Sequence, residues 1–184
     1  EPILPEPADY NQVLLDILSH ENMASREPIF EQYDKQVQGR IHTETGLADS
    51  GVMAPFNSEK YPEEIRNVGI ALSTDHNPHY GQIDPYWGGI NAVVESMRNV
   101  AAVGATPHAL SDCLCFGSPE KPHQMWEFVE SVRGVADACR SITLKDNPDH
   151  ATPIIAGNVS FYNESKSGAI PPSPIVSCLG KLKD

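Results

Sequence analysis

Asp84-Pro85-Tyr86-Trp87-Gly88-Gly89-Ile90-Asn91-Ala92-Val93-Val94-Glu95-Ser96-Met97-Arg98-Asn99-Val100-Ala101-Ala102-Val103-Gly104 reads as one long helix with both of its ends marked. Asp84 is suited to cap the first turn, and Pro85 stands at the first helical position, where its missing N–H costs nothing. Ile90, Val93, Val94, Met97, Val100 and Ala101 recur three and four residues apart and predict one apolar stripe. Gly104 suits the left-handed conformation that closes a helix. On either side lie short apolar runs of strand length, Val68 to Thr74 before the helix and Pro107 to Phe116 after it. Ser118-Pro119 then restarts a helix whose stripe is Met125, Phe128, Val129, Val132, Val135, Ala136, Cys139 and Ile142. Lys145 to His150 reads as a polar loop, Pro153 to Tyr162 as a strand, Asn163 to Pro172 as a turn-rich loop and Pro174 to Leu182 as a last strand.

The segment before Val68 is less regular. Tyr10 to His20 carries Val13, Leu14, Ile17 and Leu18 at helical spacing, and Ser25 to Val37 suggests a second helix beginning at a Ser cap. Thr43 to Asn67 is polar and broken by Gly and Pro, with a short strand only over Ala48 to Pro55. Pro2, Pro5 and Pro7 make residues 1–9 a linker, leaving 10–184 as a single domain; the start at Glu1 rather than Met suggests a piece of something larger. Two long one-sided helices among four or five strands predict an α+β fold, a mixed sheet with helices on one face. The other face would be bare, and an apolar face of that size needs a second copy of the chain or the remaining domains of a longer one to cover it.

Composition narrows the chemistry. At 184 residues, with 40% hydrophobic and 21% charged residues, the chain has enough material for one folded core. A formal net charge of −12 excludes broad attraction to nucleic acid or an anionic membrane, so any phosphate must be held locally by a metal ion, backbone N–H groups or a helix N-terminus. Cys113, Cys115, Cys139 and Cys178 show neither zinc-site nor disulfide-framework spacing, which fits a reducing cytoplasm. Cys113 and Cys115 alternate on a strand and face the same way, and they read as packing residues. Two Asn-x-Ser sequons, at Asn158 and Asn163, matter only in a secretory setting that nothing else supports. No apolar run approaches the ~18 residues of a membrane helix.

Two clusters have oxygen-rich chemistry. Asp75 ends a strand, while Glu95 and Asn99 are four apart and share a helix face; the set suits magnesium, although a Glu and an Asn at that spacing equally suit a solvated helix surface. Asp112 leads into Cys113-Leu114-Cys115-Phe116-Gly117, and a later strand carries Gly157-Asn158-Val159-Ser160. Gly157 permits close approach to the backbone, and Asn158 and Ser160 point to one face, so Asp112 and this segment are expected to face a shared pocket for a phosphate and its metal. The plainer alternative is a bulge glycine among ordinary strand residues. His76 and His79 flank Asn77-Pro78 and read as surface histidines on a turn, with no third soft ligand at a usable spacing. Phosphate-loop and dinucleotide glycine motifs are both missing, so a nucleotide site here is of another kind.

Ser73-Thr74-Asp75, Asn77-Pro78, Asp84-Pro85-Tyr86, Arg98-Asn99-Val100-Ala101-Ala102 and Gly104-Ala105 together resemble the phosphoribosylformylglycinamidine synthases, the PurL family. The resemblance continues in order through Asp112-Cys113-Leu114, Phe116-Gly117, Pro119-Glu120-Lys121-Pro122, Gly157-Asn158-Val159-Ser160, Tyr162-Asn163-Glu164 and Ile170-Pro171-Pro172. It covers nearly the whole chain, weakest before Tyr10 and between Thr43 and Asn67, and resembles the second of that family's two N-terminal-type domains. In the superfamily shared with aminoimidazole ribonucleotide synthetase, two such α+β domains pack their sheets into a barrel. A selenophosphate synthetase or thiamine-monophosphate kinase is disfavoured by the block from Gly157 to Glu164.

The resemblance implies an ATP-dependent ligase of purine biosynthesis. ATP phosphorylates the formamide oxygen of formylglycinamide ribonucleotide, and ammonia from a glutaminase subunit or domain displaces the phosphate to give the amidine. By position it implies that Asp112 and Gly157 contact ATP, that Asn158 is a magnesium ligand and that Ser160 meets the ribonucleotide. Asp75, Glu95 and Asn99 match positions that in larger relatives hold the magnesium of a second, structural nucleotide such as ADP. The catalytic His lies in the preceding domain of such enzymes, so this domain alone is expected to be inactive. A purely structural domain, holding a non-catalytic nucleotide or none, is the competing expectation. His76, Cys115 and Ser118 depart from the family pattern, where Cys or Gly is common at the first and Asn at the other two.

Overall fold

The computed structural model describes residues 5–44 and 46–183. The chain divides into two compact units, one ending at Lys35 and one beginning at Gln36. The helices of the first unit have no buried residues among those described. Helix α1 (Tyr10–Ser19) is capped by Asp9, whose side chain accepts the Asn11 N–H, yet it buries no residue, and Leu14 and Leu18 are more than half exposed. The second expected helix shrinks to one turn, α2 (Glu27–Phe30). Ser25 Oγ does accept the Glu27 N–H, but without a buried face the helix does not propagate to Val37. Of the proline-rich lead, Pro2 lies outside the described residues.

The second unit holds a six-stranded sheet. In chain order its elements are β1 (Ile41–Thr43), β2 (Gly51–Met53), β3 (Gly69–Asp75), α3 (Pro78–Ile83), α4 (Pro85–Ala102), β4 (Thr106–Cys115), α5 (Pro122–Ser141), β5 (Thr143–Leu144), β6 (Asn147–Ala151), β7 (Ile154–Ser160), β8 (Glu164–Ser165), β9 (Gly168–Ala169) and β10 (Ser173–Leu182). The sheet order is β1-β2-β3-β10-β4-β7, antiparallel throughout except for the parallel pair β4 and β7. The α+β class is as expected, and the sheet is open. It is one strand wider than the four or five predicted, because Ile41 pairs with Met53 in a stretch whose polarity hides β1. The two segments read as loops take part in short hairpins, β5 with β6 and β8 with β9, held by backbone pairing rather than by an apolar pattern.

The long helix forms for the reasons its sequence suggests. Asp84 Oδ1 accepts the N–H groups of Tyr86 and Trp87, and Gly104 adopts φ +85° just past the end. Ala92, Val93, Met97 and Val100 are among its buried positions and belong to one core cluster with Ala71, Leu110, Val176 and Cys178 of the sheet. Val93 and Val100 are completely buried, each contributing on the order of 2 kcal/mol of transfer free energy. Helix α5 begins at Pro122 rather than Pro119, because Lys121 N–H bonds to the Ser118 carbonyl in a turn first. Its buried side matches the predicted stripe only in part: Val135 and Cys139 face inward as expected, joined by Ser131, Gly134 and Ala138, while Met125 and Val129 are exposed.

Strand alternation sorts every residue of the sheet. Ala71, Ser73 and Asp75 of β3, Val176 and Cys178 of β10, and Leu110, Asp112 and Leu114 of β4 lie on the helix-covered face. The buried Ser73 hydroxyl donates to the Ser96 carbonyl of α4 at 2.8 Å, which fixes that assignment. The other face carries Leu72 and Thr74, Ile175 and Ser177, and Cys113 and Cys115; Leu72 is 53% exposed and the Thr74 and Ser177 hydroxyls bond to each other in solvent.

Candidate functional site

One row of the sheet gathers both sequence clusters. Asp75 pairs with Val176, Val176 with Asp112, and Asp112 with Gly157, so four neighbouring strands present these residues side by side on the helix-covered face. Strands are spaced about 4.8 Å apart, which puts the two aspartates roughly 10 Å from each other. A Cβ at position 157 would collide with the Asp112 carboxylate, so the absence of a side chain there is what lets the carboxylate lie over β7. Burial pushes the Asp112 carboxyl above its ordinary range.

Asp75 Oδ1 accepts from Asn99 Nδ2 at 2.8 Å, while its Oδ2 is buried with no protein partner. Glu95 lies one turn before Asn99 on α4 and is half-buried. An orphaned carboxylate oxygen beside an amide fits a hard cation, but no group of three or more His, Cys, Asp or Glu residues among those described is close enough to hold a metal unaided. Phosphate oxygens and water would have to complete the shell.

His76 is not the surface histidine expected. Both ring nitrogens are buried without partners, and burial lowers its pKa, which favours the neutral ring. His79 is exposed, and its backbone N–H is taken by Asn77, which caps α3 rather than forming a plain turn.

Asn158 and Ser160 lie on the opposite face. They pair with Cys113 and Cys115, and so project away from Asp112 and Gly157. This corrects the expectation that Asp112 and the whole segment from Gly157 to Ser160 face one pocket: neighbouring residues of one strand alternate, and the Asp112 to Gly157 register fixes which go where. It also corrects the reading of Cys113 and Cys115 as packing residues, since both sit half-buried on the open face. The segment is nonetheless accessible, because β7 is the sheet's edge and Gly157, Asn158 and Val159 are exposed.

The loop after β7 was legible only as a sequence block. Tyr162 has φ +61°, an uncommon conformation for an aromatic residue, and is held there by its N–H bond to the Gly117 carbonyl. Asn163 donates through Nδ2 to the Phe116 carbonyl at 3.0 Å and to Ser160 Oγ at 3.1 Å, which orients the serine. Tyr162 donates to Glu120, and Lys121 pairs with Glu164. The Phe116-Gly117, Pro119 to Pro122 and Tyr162 to Glu164 blocks thus form one structure at the end of β4 and β7. Asn163 has a positioning role that strand spacing does not reveal.

Residues 49–182 match the family model described as AIR synthase related protein, N-terminal domain. The chain belongs to this family. It is 54% identical over all of its 184 residues to the phosphoribosylformylglycinamidine synthase subunit PurL of Methanothrix thermoacetophila, and 43% identical over 98% of its length to that of Moorella thermoacetica. It spans 23% and 22% of those proteins respectively. A solved structure of PurLQS from Thermotoga maritima superposes with a TM-score of 0.68 at 28% identity, covering 87% of this chain and 24% of that one. Thermotoga maritima PurL complexed with ATP gives 0.66 at 27% identity, covering 86% and 23%.

In this AIR synthase related domain the Asp112 carboxylate is held where its charge is disfavoured, and stability carries the mark. A carboxylate whose folded pKa lies above its unfolded value weakens the fold as pH rises through the folded pKa, and is neutral in effect below the unfolded value of about 3.8. Asp112→Asn is therefore expected to raise the melting temperature at pH 7 by about 1–3 °C, and to leave it unchanged near pH 3. Equal melting temperatures at both pH values would show that the burial has no thermodynamic consequence.

Proposed function

We propose that this chain is the ATP-, magnesium- and ribonucleotide-binding domain of a phosphoribosylformylglycinamidine synthase, the ligase that turns formylglycinamide ribonucleotide, ATP and glutamine-derived ammonia into the amidine. The observation that carries the reading is the identity to PurL subunits along the entire chain, and the bare Gly157 beneath the Asp112 carboxylate supports it. Asp112 and the Gly157 backbone are proposed to contact ATP, Asn158 to hold magnesium and Ser160, oriented by Asn163, to meet the ribonucleotide. Their placement on two faces is compatible with this at the free edge of β7, where the Gly157 peptide and the Asn158 side chain are neighbours. Magnesium held by Asn158 would offset charge on the transferring phosphoryl group.

Asp75 and Asn99, with Glu95, are proposed to hold the magnesium of an auxiliary, structural nucleotide such as ADP, through the unpartnered Oδ2 of Asp75. The other domains of the enzyme and a glutaminase supply the rest, so this domain alone is inactive; its open sheet face meets one of those domains, or a second copy of itself when isolated. The structural alternative is favoured by one observation, the Asp75 to Asn99 hydrogen bond, which satisfies one oxygen of that cluster without an ion.

Turnover of the full-length protein separates the two. Asn158→Ala is expected to lower turnover at least about a hundredfold with unfolding little changed, because the residue is exposed and its lost contact belongs to the ligand. Retained turnover with lowered stability would favour the structural reading. Calorimetry of the 184-residue chain with Mg-ATP then reports whether this part of the site binds nucleotide unaided.

A further inference from the structure

Cys113 and Cys115 lie on the open face of β4 with their sulfurs 3.6 Å apart, and both are free thiols. We infer that this pair is a bidentate site for a thiophilic cation of the zinc group, formed by two Sγ atoms on one strand and flanked by Asn158 and Ser160 of β7. The separation is the first argument. An ion bonded to two thiolates at about 2.3 Å each, with a tetrahedral angle between them, needs its sulfurs about 3.8 Å apart. The pair stands at nearly that distance before any ion is added, so little rearrangement is required.

A disulfide fits less well. It needs sulfurs at about 2.05 Å, while residues two apart on a strand have Cα atoms about 6.6 Å apart, at the limit of what a disulfide spans. Closing it would bend β4 where it is paired on both sides. Chelation leaves the strand straight.

Register supplies the second argument. Cys113 is paired with Asn158 and Cys115 with Ser160, so an amide and a hydroxyl stand beside the sulfurs on the same face. No third His, Cys, Asp or Glu joins them among the described residues, so these oxygens and water are left to complete the shell. Cys139 and Cys178, in contrast, are buried in the core and offer no second pair. One consequence rests on the proposed function: an ion seated here would compete with whatever Asn158 and Ser160 bind, so it would inhibit. Binding itself does not depend on those roles of Asn158 and Ser160.

Cadmium is the probe, because thiolate coordination gives an ultraviolet charge-transfer band that histidine or carboxylate sites do not. The reduced 184-residue chain is expected to take up one Cd2+ with that band. C113S and C115S should each lose at least about a hundredfold in affinity, as a two-point hold becomes a single contact, while C139S keeps wild-type binding. Should a serine variant fail to fold, alkylation of the wild-type chain decides: Cd2+ should protect both Cys113 and Cys115, mapped by peptide mass. The inference is overturned if the wild-type chain shows no band, if C113S and C115S bind as tightly as wild type, or if neither thiol is protected. Inhibition of the full-length protein's turnover by Cd2+ is measured separately. Thiolate binding without inhibition would count against the roles of Asn158 and Ser160, and leave the metal site standing.

Discussion

Gly134→Ala should lower the stability of the second unit by about 2–4 kcal/mol, more than any other single methyl added to it. Helices α4 and α5 approach each other through glycines: a Cβ at 134 would overlap the Tyr86 carbonyl of α4, and a Cβ at 89 would overlap the Ser131 carbonyl of α5. Both obstacles are backbone atoms, which cannot rotate aside as a side chain can. Overpacking of a core commonly costs about 1–3 kcal/mol, and forcing two helix backbones apart belongs at the upper end or beyond. The helix propensity gained by replacing Gly with Ala returns only about 1 kcal/mol.

Urea unfolding measures this directly, and Gly104→Ala provides the contrast. Nothing lies within 4 Å of a Cβ at 104, but φ is +85°, so that substitution carries only the conformational cost of the left-handed region, about 1 kcal/mol. If Gly134→Ala costs no more than Gly104→Ala, the helices slide to accept the methyl and the close approach is not a constraint on the fold.

The same glycines explain what the sequence concealed. Apolar periodicity marks α5 correctly as a helix, yet it weights size and hydrophobicity, and so selects the exposed Met125 and Val129 along with Phe128, Val135 and Cys139, which do pack inward. The contact with α4 requires small residues instead, and Ser131, Gly134 and Ala138 provide them. Helix α4 was legible because its determinants are local: Asp84, Pro85 and Gly104 act within a turn of themselves. Strands β3, β4, β7 and β10 were legible from short apolar runs. β1 and the two hairpins were not, since their pairing uses backbone groups that every residue carries.

At the candidate site the residue types were readable and the geometry only in part. That Asn158 and Ser160 share a face follows from alternation within one strand. That Asp112 and Gly157 share the other, in a row with Asp75, depends on register between strands far apart in sequence, which no single-strand pattern contains. His76 shows the same limit. A histidine beside Asn-Pro looks like turn surface, and only the packing of the second unit reveals both of its nitrogens as buried.

Gly157→Ala is expected to reduce turnover of the full-length protein at least about a hundredfold while changing unfolding by less than about 1 kcal/mol. The obstacle to a Cβ at 157 is the Asp112 carboxylate, the far end of a side chain, and it can rotate away because Gly157 lies on the exposed edge strand β7. The fold therefore tolerates the methyl, whereas the proposed nucleotide contact does not, since displacement of a positioned group by about 1 Å costs on the order of a hundredfold in rate. A double-mutant cycle with Asp112→Ala then assigns the cause. If Gly157 serves only to make room for the carboxylate, the double variant turns over no more slowly than Asp112→Ala alone. If the Gly157 backbone itself meets the phosphates, the methyl blocks that approach whatever stands at 112, and the two losses multiply. Wild-type turnover in Gly157→Ala would remove both explanations, and with them the assignment of this row to the nucleotide.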